Sequence, residues 1–131
     1  MKTINFLSSD ADFALLIPLI AEFATKTGNP LWQHFQEVCS VFSSDRTTVI
    51  IAKDGERAIG YLCGYFIDNT NFFICQILSK DPSMTKVMFS TLEKKGADCG
   101  GKRIFGYTKA PTKAFSRYGF KFDRYLMSKE V

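Results

Sequence analysis

Histidine is nearly absent from this sequence, which has one histidine, His34, among its 131 residues. Cysteine is present, but no two cysteines stand in a Cys-x-x-Cys pair. Because tetrahedral zinc sites are built largely from such pairs and from histidines, we do not expect a zinc site. Three of the four cysteines lie in apolar stretches, which indicates buried thiols in a reducing compartment more than a disulfide framework. The cysteines are Cys39, Cys63, Cys75 and Cys99.

Long hydrophobic runs are also missing. The most apolar run, Phe13 to Ala21, is too short to cross a bilayer and is flanked by Asp12 and Glu22. The chain does not begin with a basic segment followed by an apolar block and a small-residue cleavage site, which is the pattern of a secretory signal peptide. We therefore expect a cytoplasmic protein with no membrane partner.

The composition is that of an ordinary globular protein, with 46% hydrophobic and 23% charged residues. The length suits a single domain over residues 1–131 and is sufficient to bury a core. Thirteen phenylalanines are an unusual number, and they favour a core built around aromatic side chains. A surface on which nucleic-acid bases stack would instead need exposed aromatics.

Charge is unevenly distributed along the chain. Residues 1–93 contain 7 Lys and Arg against 10 Asp and Glu, whereas residues 94–131 contain 10 against 3. The basic C-terminal third is compatible with an anionic partner, such as a phosphorylated cofactor or nucleic acid, and equally with a solvated basic face. Because no recognised nucleic-acid motif is present, nucleic acid is the weaker expectation.

The N-terminal part of the chain predicts one strand and two helices. A short strand is expected over residues 3–7, followed by a helix with Ser9 as an N-cap candidate and Gly28 as its end. Pro18 has no backbone N–H, so we expect a kink or a late start in this helix. A second helix should begin at Asn29–Pro30, as N-cap and first helical residue.

The rest of the chain predicts strands separated by turns and helices. The predicted strands are 47–53, 57–67, 72–78, 103–107 and 121–129, and the predicted helices are 82–99 and 111–118, the last ended by Gly119. The resulting order is β-α-α-β-β-β-α-β-α-β. Its late strand–helix–strand unit predicts one parallel pair inside an otherwise antiparallel sheet.

Three segments near the C-terminus resemble the GNAT-type N-acetyltransferases. Residues 92–107 (LEKKGADCGGKRIFGY) are similar to that family's third helix and following strand, and residues 114–120 (AFSRYGF) are similar to its Phe-Tyr-x-x-x-Gly-Phe segment. Residues 125–131 (YLMSKEV) resemble its usual ending, and the predicted element order is also the family's order. The resemblance implies an α/β fold: a GNAT-like three-layer α/β/α sandwich with a mixed, mostly antiparallel sheet and one splayed parallel strand pair.

The resemblance also implies acetyl-CoA as the cofactor, bound where the strands at 72–78 and 103–107 separate. In the family, the pyrophosphate rests on a loop of the form Gln/Arg-x-x-Gly-x-Gly/Ala at the start of the third helix, where free N–H groups and the helix dipole hold a phosphate. The matching stretch here is Lys-Asp-Pro-Ser-Met-Thr, residues 80–85. It lacks the glycines, Pro82 has no N–H to donate, and Asp81 adds a negative charge.

The cofactor-binding residues that the resemblance implies fall into two groups. The pyrophosphate would meet the first helical turn, and the thioester carbonyl would meet backbone N–H groups at a bulged strand end over residues 77–79. The full set is Ile77, Leu78, Ser79, Lys80, Ser83, Met84, Thr85, Lys86 and Phe115.

The position of the family's usual catalytic tyrosine is occupied by Phe115. Phenylalanine has no proton to give to the departing thiolate. Tyr118 lies about one helical turn later and could substitute for the missing acid. Alternatively, Tyr118 is a half-buried aromatic that packs on the core.

A general base is harder to identify from the sequence. The strand at 72–78 has no Asp or Glu, and its polar residues are Cys75 and Gln76. Family members without such a carboxylate often deprotonate the amine through ordered water. Possible acceptor-side groups are Tyr61, Tyr65, Asp68 and His34, for which the alternatives are sheet packing, a turn or a surface position.

Acyl transfer from acetyl-CoA to an amine, by direct attack and without a covalent intermediate, is the function that the resemblance implies. The acceptor would be a small-molecule or peptide amine, and the protein a monomer or homodimer. The alternative is a GNAT-shaped binding or interaction protein that has lost catalysis, which the altered loop and Phe115 favour.

Overall fold

The chain forms five strands and three helices within the residues that the structure describes. A computed structural model describes residues 1–42, 47–66, 71–98, 103–106 and 117–120. The elements are β1 (Lys2–Phe6), α1 (Asp10–Thr27), α2 (Leu31–Phe42), β2 (Thr47–Asp54), β3 (Arg57–Phe66), β4 (Asn71–Ser79), α3 (Pro82–Asp98) and β5 (Arg103–Gly106). The predicted order is confirmed as far as β5. The predicted strand at 121–129 lies outside the described residues, as does most of the predicted helix at 111–118.

The five strands form one mixed sheet in the order β1-β2-β3-β4-β5. Neighbouring strands are antiparallel except for β4 and β5, which are parallel and pair from Asn71–Arg103 to Ile74–Gly106. The helix α3 connects these two strands, as a parallel pair requires a crossover. The prediction that they are adjacent and parallel is therefore confirmed.

The helices cover both faces of the sheet and so make three layers. On one face, Leu16 of α1 and Val38 of α2 pack with Tyr61 of β3. On the other face, Met88 of α3 packs with Leu62 of β3. The central strand β3 is therefore buried on both sides, which explains why its sequence is apolar without alternation. None of the helices in the described part of the chain is both long and apolar enough to cross a membrane.

Short-range signals determine both ends of α1. The side chain of Ser9 accepts a hydrogen bond from the Asp12 N–H at 3.2 Å, and Gly28 ends the helix with a φ of 75°, a left-handed conformation that favours glycine. The helix begins at Asp10 and continues through Pro18, so the predicted late start is wrong. Pro18 lies on the exposed side of α1, where water can bind the carbonyl that its missing N–H leaves without a donor.

The strand β4 contains a bulge at Cys75. Cys63 of β3 pairs with Gln76, whereas the next residue of β3, Gly64, pairs with Ile74. Cys75 is therefore an extra residue with no counterpart on β3. Such an insertion changes which side chains face which side of a sheet.

The bulge is not where the family resemblance placed it. Residues 77–79 pair regularly with residues 60–62, so the expected bulge at the end of β4 is wrong. The physical reason lies on the neighbouring strand, where a Cβ on Gly64 would lie 2.3 Å from the carbonyl oxygen of Phe73. Only glycine allows the two backbones to approach so closely beside the inserted Cys75.

Candidate functional site

The strand β4 extends beyond the end of β5. The pairing with β5 ends at Ile74, whereas β4 continues to Ser79 with β3 along its other edge. Among the described residues, no strand therefore covers the β5 side of residues 75–79. An uncovered strand edge offers N–H and C=O groups that a ligand can bind.

We call residues 75–79 the open half of β4. The direction of the backbone N–H groups alternates along this segment. The N–H of Lys80 donates to the carbonyl of Ile59 at 2.9 Å, so it points toward β3. Because successive residues of an antiparallel strand alternate in direction, Leu78 also points toward β3, whereas Ile77 and Ser79 point toward the open edge. Two of the three N–H groups predicted for the thioester carbonyl thus face the open edge, and that of Leu78 does not.

The bulge turns two consecutive side chains toward α2. Cys75 packs with the core on the α1 and α2 face, and Gln76 bonds to Tyr61 of the same core. Their neighbours Ile74 and Ile77 both pack on the α3 face. Gln76 pairs with Cys63 of the same core, so the inserted Cys75 is the residue that places two consecutive side chains on this face.

Gln76 is the centre of a buried hydrogen-bond network. Its Oε1 accepts from the Tyr61 hydroxyl at 2.8 Å, and its Nε2 donates to the His34 carbonyl at 3.1 Å and to Glu37 Oε1 at 2.6 Å. Gln76 is 1% exposed and Tyr61 is fully buried, whereas Glu37 is exposed. The network therefore links a rigid interior to a carboxylate that solvent can reach.

Three other ionisable side chains near this network have raised pKa values. Burial raises the pKa of the Tyr61 hydroxyl and also that of Tyr65. A hydrogen bond with Cys75, together with burial, raises the pKa of the Cys63 thiol well above its usual range. Glu37 is the only acidic residue in α2, β3 and β4. It is therefore the one carboxylate that these elements can present to a ligand.

The His34 ring contacts the end of α1. Its Nε2 lies 3.0 Å from the Thr27 hydroxyl, and the edge of Phe23 lies against it with ring centroids 4.9 Å apart. The ring therefore fastens α2 to the end of α1. The contribution of His34 to the Gln76 network comes from its backbone carbonyl.

Asp81 accepts the hydrogen bonds of the backbone N–H groups at the N-terminus of α3. The Asp81 carboxylate accepts from the Ser83 N–H at 3.0 Å, from the Ser83 hydroxyl at 2.7 Å and from the Lys2 ammonium at 2.5 Å. The N–H groups of Met84 and Thr85 donate to the Asp81 carbonyl at 3.0 and 3.1 Å. All three N–H groups predicted to hold a pyrophosphate thus have partners, so a phosphate fits here only if the Asp81 carboxylate first leaves Ser83.

Lys80 and Lys86 were predicted to lie near the pyrophosphate, and the structure gives them different surroundings from those of Lys2. The Lys80 ammonium pairs with Glu22 of α1 at 3.3 Å, and Lys86 is exposed on α3. Lys2, from β1, is the cation that contacts the start of α3. Seventy-nine positions separate Lys2 from Asp81 along the chain, so no local pattern pointed to the pair.

The Lys2–Asp81 pair predicts a stability contribution that depends on pH. Lys2 and Ser83 lower the pKa of Asp81 from its ordinary 3.8 to about 2, so the contribution is present above pH 3.8 and is lost as the pH falls toward 2. Asp81 raises the pKa of Lys2 above its ordinary 10.5, so the contribution is present below pH 10.5 and is lost above it.

We therefore expect Lys2→Met to lower the free energy of unfolding near neutral pH, with the difference from wild type closing at both pH extremes. Urea denaturation at a series of pH values measures this difference. Lys94→Met, on the exposed side of α3, is the matched control and should show no such closing. A Lys2→Met difference that stays constant through both extremes would contradict the pairing.

Tyr118 lies on the α3 side of the sheet. It is half-buried, and its ring centroid is 5.1 Å from that of Phe89. Gly119, with a φ of 87°, turns the chain so that Phe120 also packs on Phe89, at 5.0 Å. Of the other predicted site residues, Phe115 lies outside the described residues, as does Asp68.

Sequence reasoning missed Glu37 as a functional residue. It is a charged residue next to the apolar stripe of α2, and such residues usually face solvent without contacts. The signal that could have found it is the polar Gln76 in an otherwise apolar strand, because a buried amide must find hydrogen-bond partners on the helix that covers it.

The sequence matches no family model and no curated protein. Solved structures do match it. The aminoglycoside N-acetyltransferase AAC(6')-Iy, in complex with a CoA-containing bisubstrate analogue, is 14% identical, with a TM-score of 0.79 over 100% of this chain and 99% of that chain. The aminoglycoside 6'-N-acetyltransferase AAC(6')-Ih from Acinetobacter baumannii is 13% identical, with a TM-score of 0.77 over 100% and 99%. The ribosomal-protein-alanine N-acetyltransferase from Brucella melitensis biovar Abortus 2308 is 13% identical, with a TM-score of 0.74 over 100% and 99%.

At 13–14% sequence identity, a structural match establishes the fold and not the activity. The matches extend over nearly the full length of each chain, and they agree with the mixed sheet, its parallel β4–β5 pair and its helices on both faces. The chain therefore has the fold of the GNAT acetyltransferases.

Proposed function

We propose that this protein transfers the acetyl group of acetyl-CoA to the amine of a small molecule or a peptide. The observation on which the proposal rests is the open half of β4, whose edge beyond β5 is not covered by any strand in the described part of the chain. Proteins with the same fold that are named as aminoglycoside and alanine N-acetyltransferases support this chemistry, and one of them was solved with CoA.

The proposed reaction is a direct attack of the amine on the thioester. The acetyl-CoA thioester lies at the open edge, where the N–H groups of Ile77 and Ser79 bind its carbonyl oxygen and stabilise the negative charge that develops there. The amine approaches from the α2 face. The nitrogen of the free amine forms the new C–N bond and loses one proton to solvent water, and the C–S bond breaks. Tyr118 on the α3 face gives the departing thiolate a proton and regains one from water.

The pyrophosphate of acetyl-CoA would bind the backbone of residues 83–85 at the start of α3, with Lys80, Lys86 or Lys2 as counter-charges. Asp81 must give up its bond to Ser83 for this to happen. The free energy needed for that rearrangement makes the binding free energy of CoA less favourable by the same amount. We therefore expect CoA to bind more weakly than an unoccupied helix start would allow.

Replacing Asp81 with Asn is expected to tighten CoA binding about tenfold. Asparagine is as good an N-cap as aspartate, so α3 keeps its start, while the negative charge beside the phosphates is removed and Lys2 is released. Titration calorimetry with CoA measures the effect. Pantetheine, which has no pyrophosphate, should bind both proteins equally.

The matched control is Asp98→Asn, at the opposite end of α3, which should leave CoA affinity unchanged. If Asp81→Asn leaves CoA binding unchanged or weakens it, the Asp81 carboxylate does not compete with the pyrophosphate.

A second candidate function is a binding protein that has the fold but no catalytic activity. The observation that favours it is the self-satisfied start of α3, where Asp81 takes the position that a phosphate would need. Calorimetry with CoA, followed by an assay of thiol release with a panel of amines, separates the two candidates. No heat at millimolar CoA and no thiol release would favour the binding protein.

The finer properties of this function remain predictions. Either an aminoglycoside-like small amine or a peptide amine would suit the proposed reaction. A cytoplasmic location and a monomeric or homodimeric state are predicted from the sequence alone.

A further inference from the structure

One carboxylate is held in a defined position on the α2 face of the open half of β4. The Nε2 of Gln76 donates a hydrogen bond to Glu37 Oε1 at 2.6 Å. Gln76 lies two residues beyond Ile74, where the pairing with β5 ends. The carboxylate therefore lies on the α2 face of the strand segment at which the proposed thioester binds.

The orientation of this contact is determined by the other partners of Gln76. The Tyr61 hydroxyl donates to Oε1 at 2.8 Å, which leaves Nε2 for the two acceptors on α2, the His34 carbonyl and Glu37. Both amide protons and the amide oxygen are thus used. A flipped amide would place its oxygen against a carbonyl and a carboxylate, so only one orientation satisfies the network.

The network consists of two buried residues that hold Glu37 in place and of the exposed Glu37 carboxylate itself. Tyr61 is fully buried and Gln76 is 1% exposed, so both are locked by packing. Glu37 belongs to the exposed surface of α2. This division is typical of a reactive group that is supported from the interior while it remains open to a ligand.

The pairing of β3 with β4 determines the face of the sheet on which Gln76 lies. Gln76 pairs with Cys63, whose side chain belongs to the core on the α1 and α2 face, so the Gln76 side chain also faces α2. The inserted Cys75 lies next to it on the same face. No other acidic residue occurs in α2, β3 or β4. The bulge at Cys75 and the Glu37 carboxylate therefore lie on the same face of the sheet.

We propose that Glu37 binds the acceptor in its cationic ammonium form and then accepts a proton from the nitrogen, directly or through one water molecule, so that the free amine can attack the thioester. This inference rests on the proposed function and names its acceptor class: amines that are protonated in solution. Gln76 and Tyr61 are positioning residues that hold Glu37. The ammonium loses two protons as it becomes an amide. The first goes to Glu37 and frees the lone pair for attack, and the second leaves the nitrogen for solvent water after the C–N bond has formed. The thiolate takes its proton from Tyr118, which regains one from water.

Glu37→Gln tests the inference, because glutamine keeps the shape and the acceptor oxygen for Gln76 but loses the charge and the basicity. We expect kcat/KM for the amine to fall about 100-fold or more, with CoA affinity and unfolding free energy close to wild type. Glu93→Gln, an exposed glutamate on α3, is the matched control and should retain full activity.

Tyr61→Phe tests the positioning role, since it removes the hydroxyl that orients Gln76. We expect the KM for the amine to rise and kcat to fall, while CoA affinity stays the same. A purely structural role would lower stability without this selective effect on the amine.

The outcomes separate the inference from the proposed function. If wild type acetylates an amine and Glu37→Gln does so at the same kcat/KM, the role of Glu37 is wrong and the transferase activity stands. If wild type acetylates no amine, both are wrong.

Discussion

Replacing Gly64 with Ala is expected to lower the free energy of unfolding by about 3 kcal/mol and to abolish most activity. The added Cβ would lie 2.3 Å from the Phe73 carbonyl oxygen and 2.6 and 2.8 Å from two ring carbons of Phe72. The carbonyl belongs to the neighbouring strand and cannot move without breaking the sheet. Relief of the clash must therefore separate β3 from β4 beside Cys75, which also shifts Gln76.

Urea denaturation of Gly64→Ala measures this effect, and Gly96→Ala in α3 is the matched control. A Cβ on Gly96 meets nothing within 4 Å beyond the helix's own backbone, so that substitution should stabilise the protein by up to about 1 kcal/mol. Equal stabilities for the two variants would mean that β3 and β4 are not as close at the bulge as the structure has them.

Removing the hydroxyl of Tyr118, by Tyr118→Phe, is expected to lower kcat by about 10- to 1000-fold if this residue protonates the leaving thiolate. The ring packs on Phe89 and is half-buried, and phenylalanine reproduces that packing. The fold and the CoA affinity should therefore be preserved. Steady-state kinetics at saturating amine, together with calorimetry for CoA, separate the two effects.

Full kcat in Tyr118→Phe would show that the hydroxyl is not the acid. In that case Tyr118 is a packing residue, and the substitution should change the free energy of unfolding by about 1 kcal/mol or less. Solvent would then be left as the proton source for the thiolate, and the transferase activity would not be affected.

Features that depend on nearby residues could be predicted from the sequence. The Ser9 cap, the Gly28 end of α1 and the crossover between β4 and β5 were expected and are confirmed. Each depends on a backbone preference or on the order of elements along the chain. Pro18 shows the limit of such reasoning, because packing of the rest of α1 outweighs one missing hydrogen bond.

The details of the candidate site depend on contacts between distant residues. The Gln76–Glu37 bond joins positions 39 apart, and the Lys2–Asp81 pair joins positions 79 apart. Neither contact has a local sequence signature. The bulge could not be placed either, because its position depends on Gly64 of the adjacent strand and not on β4 itself.

The central claim is that this protein acetylates amines with acetyl-CoA at the open half of β4. The most direct measurement incubates the purified protein with radiolabelled acetyl-CoA and a panel containing an aminoglycoside, a simple diamine and a peptide with an N-terminal alanine. We predict transfer of label to at least one of these amines, and loss of that transfer in Glu37→Gln. Absence of label on every amine, with no CoA retained by the protein, would contradict the claim.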